Sequence, residues 1–182
     1  MTRILLVRHG QAAASFTDDL DPGLNDLGRK QAEDVAQRLK TELPLAILSS
    51  PLCRARETAE PLRAHQGGEI ALEPRVSEIP SPGLGLDERG AWLHSVMTGV
   101  WPDQAPELLQ WRSDLVDCLI SQPVDCVIFS HFVAINVAVA SAEGDQRVTV
   151  FRPDNTSVTE LATDGTSLTL IRRGEEAVST VN

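Results

Sequence analysis

The stretch ILLVRHGQ, residues 4 to 11, runs four apolar residues straight into a cation, an imidazole and a glycine. The run is continuous rather than alternating, so it reads as a strand buried on both faces, as strands of parallel sheets are. In open α/β sheets, ligands gather beyond the carboxyl ends of the parallel strands. Arg8 and His9 stand at that place on this strand.

Two further runs have the same form. LAILS (45 to 49) leads into Ser50-Pro51, and DCVIFS (125 to 130) leads into His131. Asn25 can cap a helix from about 26 to 43, with Leu27, Val35, Leu39 and Leu43 on one face. Ser50 and Pro51 predict the N-cap and first position of a helix to about Leu62, which Pro61 bends or ends. A short strand is expected at 69 to 73, then a loop rich in Pro, Gly and Ser over 74 to 86. Helices are expected over 87 to 98 and 105 to 121, the second striped by Leu108, Trp111, Leu115 and Leu119. An apolar helix follows His131. Residues 147 to 151, 156 to 162 and 167 to 172 alternate like strands, with Asp164-Gly165 as a two-residue hairpin turn. This order predicts an α/β sheet covered by helices on both faces, in one domain over residues 1–182 that ends in a polar tail from about 174.

The bulk numbers exclude several classes. With 182 residues, 42% hydrophobic and 23% charged, the chain has ordinary globular composition. The net charge of −10 repels nucleic acid and anionic lipid, so neither is an expected partner. No apolar stretch reaches the roughly 18 residues of a membrane span. The cysteines, Cys53, Cys118 and Cys126, are odd in number and lack C-x-x-C spacing, which fits a reducing cytoplasm better than a disulfide framework. All but Lys30 and Lys40 of the 16 basic residues are arginine, the side chain suited to bidentate phosphate or carboxylate recognition.

Three strand ends should therefore bring together Arg8, His9, His131 and, one helical turn beyond Pro51, Arg54. Arg8, Arg54 and a protonated His131 could neutralise a dianionic phosphate, helped by N–H groups at the starts of the helices near Pro51 and Phe132. His9 could attack phosphorus in line, and Gly10 would let the substrate approach the backbone. The leaving oxygen needs a proton donor, and Glu78 in RVSEIPSPG is the candidate, with Glu107 and Asp87 the other carboxyls to check. A zinc site built from the two histidines and a glutamate is the chemical alternative. No H-E-x-x-H spacing supports it, and the arginines would oppose a cation. His65 and His94 read as surface residues, and Trp92, Trp101 and Trp111 as packing or pocket lining.

Arg8-His9-Gly10, LNDLGRKQA (24 to 32), SSPLCRARETA (49 to 59), Glu78 and VIFSH (127 to 131), in this order, resemble the histidine phosphatase superfamily, also called the phosphoglycerate mutase-like family. The resemblance implies a three-layer α/β/α domain around a mostly parallel central sheet. It implies His9 as the phosphorylated nucleophile and Arg8, Arg54 and His131 as the phosphate pocket. It places Glu78 at the usual acid's position. No cofactor or metal is implied, and the expected partner is a small phosphorylated metabolite or a phosphoprotein. Where mutases of the family carry E-S-x-W-N, this chain has Gln11-Ala12-Ala13-Ala14-Ser15, so Ser15 stands where an asparagine helps hold phosphate. Phe132 replaces the usual glycine after the second histidine, keeping the backbone N–H but adding a ring. These departures and the shorter chain favour a phosphatase over a mutase. A non-catalytic module that binds phosphorylated ligands is the reading from another class.

Overall fold

The computed structural model describes residues 1–15, 18–81 and 83–178. The opening run forms β1 (Thr2–Arg8), and its side chains alternate between two cores. Ile4 and Leu6 face one, Leu5 and Val7 the other, and all four are buried. β4 (Cys126–Ser130) lies beside it in parallel, with Ile4 opposite Cys126 and Arg8 opposite Ser130. Its residues split the same way, Cys126 and Ile128 against Val127 and Phe129. Burial on both faces is why these strands read as unbroken apolar runs.

The sheet has the order β3-β2-β4-β1-β5-β6, with β2 at Ala46–Ser49, β3 at Ala71–Leu72, β5 at Val158–Thr163 and β6 at Leu168–Arg172. The first four in that order run parallel, β5 pairs antiparallel with β1, and β6 pairs antiparallel with β5. Helices α1 (Asp26–Leu39) and α2 (Cys53–Gln66) supply one core, and α4 (Pro106–Ile120) and α5 (Phe132–Glu143) the other, flanked by α3 (Leu86–Met97). The three-layer α/β/α arrangement with a mostly parallel sheet is as expected.

Several local expectations need correction. The helix expected to 43 ends at Leu39 and tightens into a 3₁₀ turn over Lys40–Glu42. Ser50 does not cap α2, which begins at Cys53. The Ser50 hydroxyl instead takes the N–H of Leu52 (3.2 Å), and the Asp21 carboxylate, arriving from the β1–α1 loop, takes that of Cys53 (2.8 Å). Pro61 sits inside α2 without ending it, because the fully buried Leu62 beyond it anchors the helix through the missing donor. Residues 147–151 are not a strand. β1 is already flanked by β4 and β5, and the N–H groups of Val150 and Phe151 go to the buried Asn136 side chain of α5 (2.8 and 3.1 Å). The segment alternates because Val148 and Val150 pack on the core, not because it pairs. The β5–β6 connection spans residues 164–167, held by the Asp164 carboxylate on the N–H groups of Thr166 and Ser167.

The expected polar tail is tied down as far as it is described. The N–H of Asp154 bonds the Glu175 carbonyl (2.8 Å), and that of Ala177 bonds the Arg152 carbonyl (2.9 Å). Its last four residues lie outside the described residues.

Candidate active site

The hydrogen-bond ladder continues one residue past the strand ends. The His9 N–H reaches the Ser130 carbonyl and the Ser50 N–H reaches that of Phe129, each at 3.0 Å. His9, Ser50 and His131 therefore leave the sheet side by side. The His131 ring is fully buried, with Nε2 2.8 Å from Ser50 Oγ, and the two histidine rings stand 5.1 Å apart. Arg54, in the first turn of α2, donates from Nε to His9 Nε2 at 3.2 Å. His9 Nδ1 lies 2.7 Å from the Gly10 carbonyl, which can only accept. The proton of a neutral His9 thus belongs on Nδ1, and Nε2 keeps its lone pair.

A short loop before β5 holds this geometry from behind. Arg8 Nη1 donates to the Pro153 carbonyl (2.9 Å), the Thr156 N–H to the Arg8 carbonyl (3.0 Å), and Asn155 Nδ2 to the His9 carbonyl (2.9 Å). Thr156 has φ of 55°, left-handed backbone that a β-branched residue rarely adopts and that costs about 1–3 kcal/mol. Sequence reasoning missed Asn155. Its one local signal was the turn-forming cluster Pro153-Asp154-Asn155, which names a loop and not a contact with residue 9.

Glu78 is fixed on the other side. Its carboxylate accepts from the N–H groups of Ile79 (3.0 Å) and Val133 (3.1 Å). At each helix start one amide is already engaged by a carboxylate of this chain. The Val133 amide of α5 holds Glu78, and the Cys53 amide of α2 holds Asp21. Gly10 has a packing role. A side chain there would lie 2.6 Å from the Gly28 carbonyl oxygen, and one at Gly28 would lie 2.1 Å from that of Gln11. The glycines let the β1 exit and the first turn of α1 touch.

One cavity of about 310 Å³ gathers the chemistry, lined by Arg8, His9, Arg54 and Glu78 with Phe132 and Arg152. Glu107 and Asp87 are exposed and do not line it. The Phe132 ring forms part of the wall, 5.3 Å from the Arg8 guanidinium. Ser15 borders an adjoining hollow that also reaches Arg8 and His9, and its hydroxyl bonds the Asp18 carboxylate. His65 and His94 are exposed, while Trp101 is buried with Trp92 and Trp111 packed on the same core. Among the described residues no three His, Cys, Asp or Glu side chains come together as a metal-binding group, and no helix is long and apolar enough to cross a membrane.

The electrostatics follow from burial beside fixed cations. Burial, then the Arg54 and Arg8 charges, hold His9 down to about 3, against the Gly10 bond. Burial, His9 and the same arginines hold His131 well below its ordinary value. Burial raises the Glu78 carboxyl, opposed by its two amide bonds and by Arg54 and Arg8. The resting site therefore holds a neutral imidazole whose Nε2 lone pair takes the Arg54 Nε–H, two guanidinium groups and a carboxyl raised by burial.

Residues 4–82 match the model of the histidine phosphatase superfamily (branch 1). The chain is 32% identical over 164 residues to a protein of Photorhabdus laumondii named probable phosphoglycerate mutase GpmB, covering 79% of this chain and 76% of that one. Over 85 residues it is 39% identical to the metal-independent phosphoserine phosphatase of Arabidopsis thaliana, covering 44% of this chain and 34% of that one. The native structure of mycobacterial glucosyl-3-phosphoglycerate phosphatase superposes with a TM-score of 0.75 at 25% identity, covering 97% of this chain and 100% of that one. With motif, fold and relatives in agreement, the chain belongs to the histidine phosphatase superfamily.

Proposed function

We propose that this histidine phosphatase hydrolyses phosphomonoesters without a metal ion, through a phosphohistidine on His9, with Glu78 as proton donor. The observation that carries the reading is the shared cavity: the His9 ring, Arg8, Arg54 and Glu78 all face one space. His9 Nε2 attacks phosphorus as the ester P–O bond breaks, and the Glu78 carboxyl gives its proton to the leaving oxygen. The Glu78 carboxylate then takes a proton from water, whose oxygen attacks phosphorus as the P–N bond breaks, restoring both groups. Arg8 and Arg54 stand where charge accumulates on the equatorial oxygens, and that fixed positive charge stabilises the transition state. His131 does not line that cavity and has Nε2 on the Ser50 hydroxyl, and its place in the phosphate set rests on its position at the β4 exit, 5.1 Å from the His9 ring. Phe132 closes the wall and holds Arg8 by its ring face. Ser15 is the weakest member of the proposed phosphate set, because Asp18 already holds its hydroxyl.

The substrate is a small phosphorylated metabolite, in keeping with the names of the relatives, which speak of phosphoserine, phosphoglycerate and its glucosyl derivative. Phosphoryl transfer to a second substrate, which the mutase name of one relative suggests, uses the same first step and differs in the acceptor. The test is turnover of para-nitrophenyl phosphate in EDTA by the wild type and by His9→Ala. Hydrolysis that survives EDTA and disappears in the variant is expected. Metal-dependent turnover, or turnover retained by His9→Ala, would overturn the reading. Binding of orthovanadate without any turnover would move the chain to the non-catalytic class.

A further inference from the structure

Each nitrogen of the His9 ring is tied to a different part of the chain, and a single hydroxyl joins the two parts. Nδ1 gives its proton to the Gly10 carbonyl (2.7 Å), and Nε2 takes the Arg54 Nε–H (3.2 Å). Thr58 stands one helical turn beyond Arg54 on α2 and is fully buried. Its Oγ1 donates to the Arg54 carbonyl (2.6 Å), as a helical threonine does to the residue four before it. A hydroxyl has one proton and two lone pairs, so Oγ1 still accepts, and it takes the Gly10 N–H (3.0 Å). The bonds close into a circuit of His9 imidazole, Gly10 backbone, Thr58 hydroxyl, Arg54 and the imidazole again. Asn155 Nδ2 holds the His9 carbonyl, at the opposite edge of the same peptide (2.9 Å). The His9–Gly10 peptide plane is therefore fixed both at its oxygen and at its N–H.

We propose that Thr58 is a positioning residue for the nucleophile: its hydroxyl sets the Gly10 peptide against Arg54, and so holds the His9 ring with its proton on Nδ1 and its lone pair on Nε2. The proposal rests on the phosphohistidine reading for what Nε2 does. Glycine has the widest choice of backbone angles, so at position 10 hydrogen bonds and the contact with Gly28, not a side chain of its own, fix where the carbonyl points. If that carbonyl turned away, Nδ1 would lose its acceptor. The proton would then be free to move to Nε2, which leaves no lone pair there for attack. The hydroxyl also sits on the helical turn that carries Arg54, so it keeps the guanidinium in register with the ring it contacts. A displacement of about 1 Å at a reacting atom costs on the order of 10²-fold in rate, so one buried bond at this place matters to turnover.

The test compares Thr58→Val, which keeps the shape and loses the hydroxyl, with Thr58→Ser, which keeps the hydroxyl. Burst kinetics on para-nitrophenyl phosphate read the phosphorylation of His9, and calorimetry with inorganic phosphate reads the pocket. Nitrogen-15 spectra of histidine-labelled protein read the tautomer, with His9→Gln assigning the signals. Thr58→Val is expected to slow phosphorylation about 10- to 100-fold, to change the Kd for phosphate by less than about twofold, and to shift His9 toward a mixture of tautomers. Thr58→Ser should stay within about threefold of the wild-type rate and keep the Nδ1–H signal. Wild-type rates in Thr58→Val would overturn the proposal. So would equal losses in both variants, because packing and not the hydroxyl would then be at work, and so would phosphate binding that falls by the same factor as the rate. The wild-type spectrum needs no variant to fold: a neutral His9 protonated on Nε2 at pH 7 would break the circuit and the proposal with it. These spectra do not depend on turnover. A His9 held as described in a chain that hydrolyses nothing would count against the phosphohistidine reading alone.

Discussion

In the proposed mechanism the Glu78 carboxyl acts first as acid and then as base, and its surroundings raise it from its ordinary value. Burial raises it, while two amide donors and two arginines moderate the rise. Replacement by glutamine keeps the shape and removes the proton. Glu78→Gln should lower kcat on an alkyl phosphate by about 10²- to 10⁴-fold. On para-nitrophenyl phosphate, whose leaving group needs no proton, the loss in the phosphorylation step should be far smaller. Steady-state kinetics on the two esters, with burst measurements on the second, check this. Equal losses in the phosphorylation step of both esters would mean that Glu78 is not the donor. Arg8, His9, Arg54 and His131 were legible in the sequence because they follow apolar runs, and the strand-end rule needs only chain order. Asn155 was not legible, because its partner is the His9 carbonyl nearly the whole chain away. Ser15 was proposed on position, yet its nearest acidic neighbour takes its hydroxyl.

Among the elements, the strands were the most readable, since burial on both faces writes itself as an unbroken run. The segment at 147–151 misled because alternation reports burial and not pairing. Asn136 carries that distinction. Its side-chain oxygen serves two amides that a neighbouring strand would otherwise bond. Asn136→Leu fills similar volume but leaves both donors buried without partners, and should cost about 2–5 kcal/mol by urea unfolding. A loss below about 1 kcal/mol would mean that water or a shift of the segment replaces the oxygen. The contact between α1 and the β1 exit gives the opposite sign to intrinsic propensity. Alanine at position 28 would favour the helix by about 1 kcal/mol, but its Cβ would meet the Gln11 oxygen at 2.1 Å. Gly28→Ala should destabilise by about 1–3 kcal/mol and lower kcat, because the yielding segment carries Arg8 and His9. Thermal melts and turnover of the variant check both halves.

For the whole molecule, burying two histidines beside two arginines has a cost that depends on pH. The folded-state values of His9 and His131 are depressed. Above about 6.5 both are neutral whether the chain is folded or unfolded, so this cost vanishes there. As pH falls below that, the unfolded chain takes up protons that the folded one refuses, and stability declines by up to about 1.4 kcal/mol per pH unit for each ring. For His9 the decline continues to about 3, where the folded ring also protonates. Glu78, raised in the fold, opposes the slope just above the ordinary carboxylate range. Urea unfolding between pH 7 and pH 4 should show the decline, and His9→Gln should flatten it. An unchanged slope in that variant would show that the ring is already charged in the folded protein.

The sheet order also governs when this protein can exist at all. β1 lies between β4 and β5, so Ile4 pairs with both Cys126 and Leu161. A growing chain makes the strand that leads into His9 well before both of its neighbours. Until Cys126 and the residues after it have left the ribosome, β1 has two open edges and no lattice to join, and the chain closures it awaits are long and slow. Formation of this sheet thus waits for the segment up to Thr163, and with it the meeting of His9, Arg54 and His131.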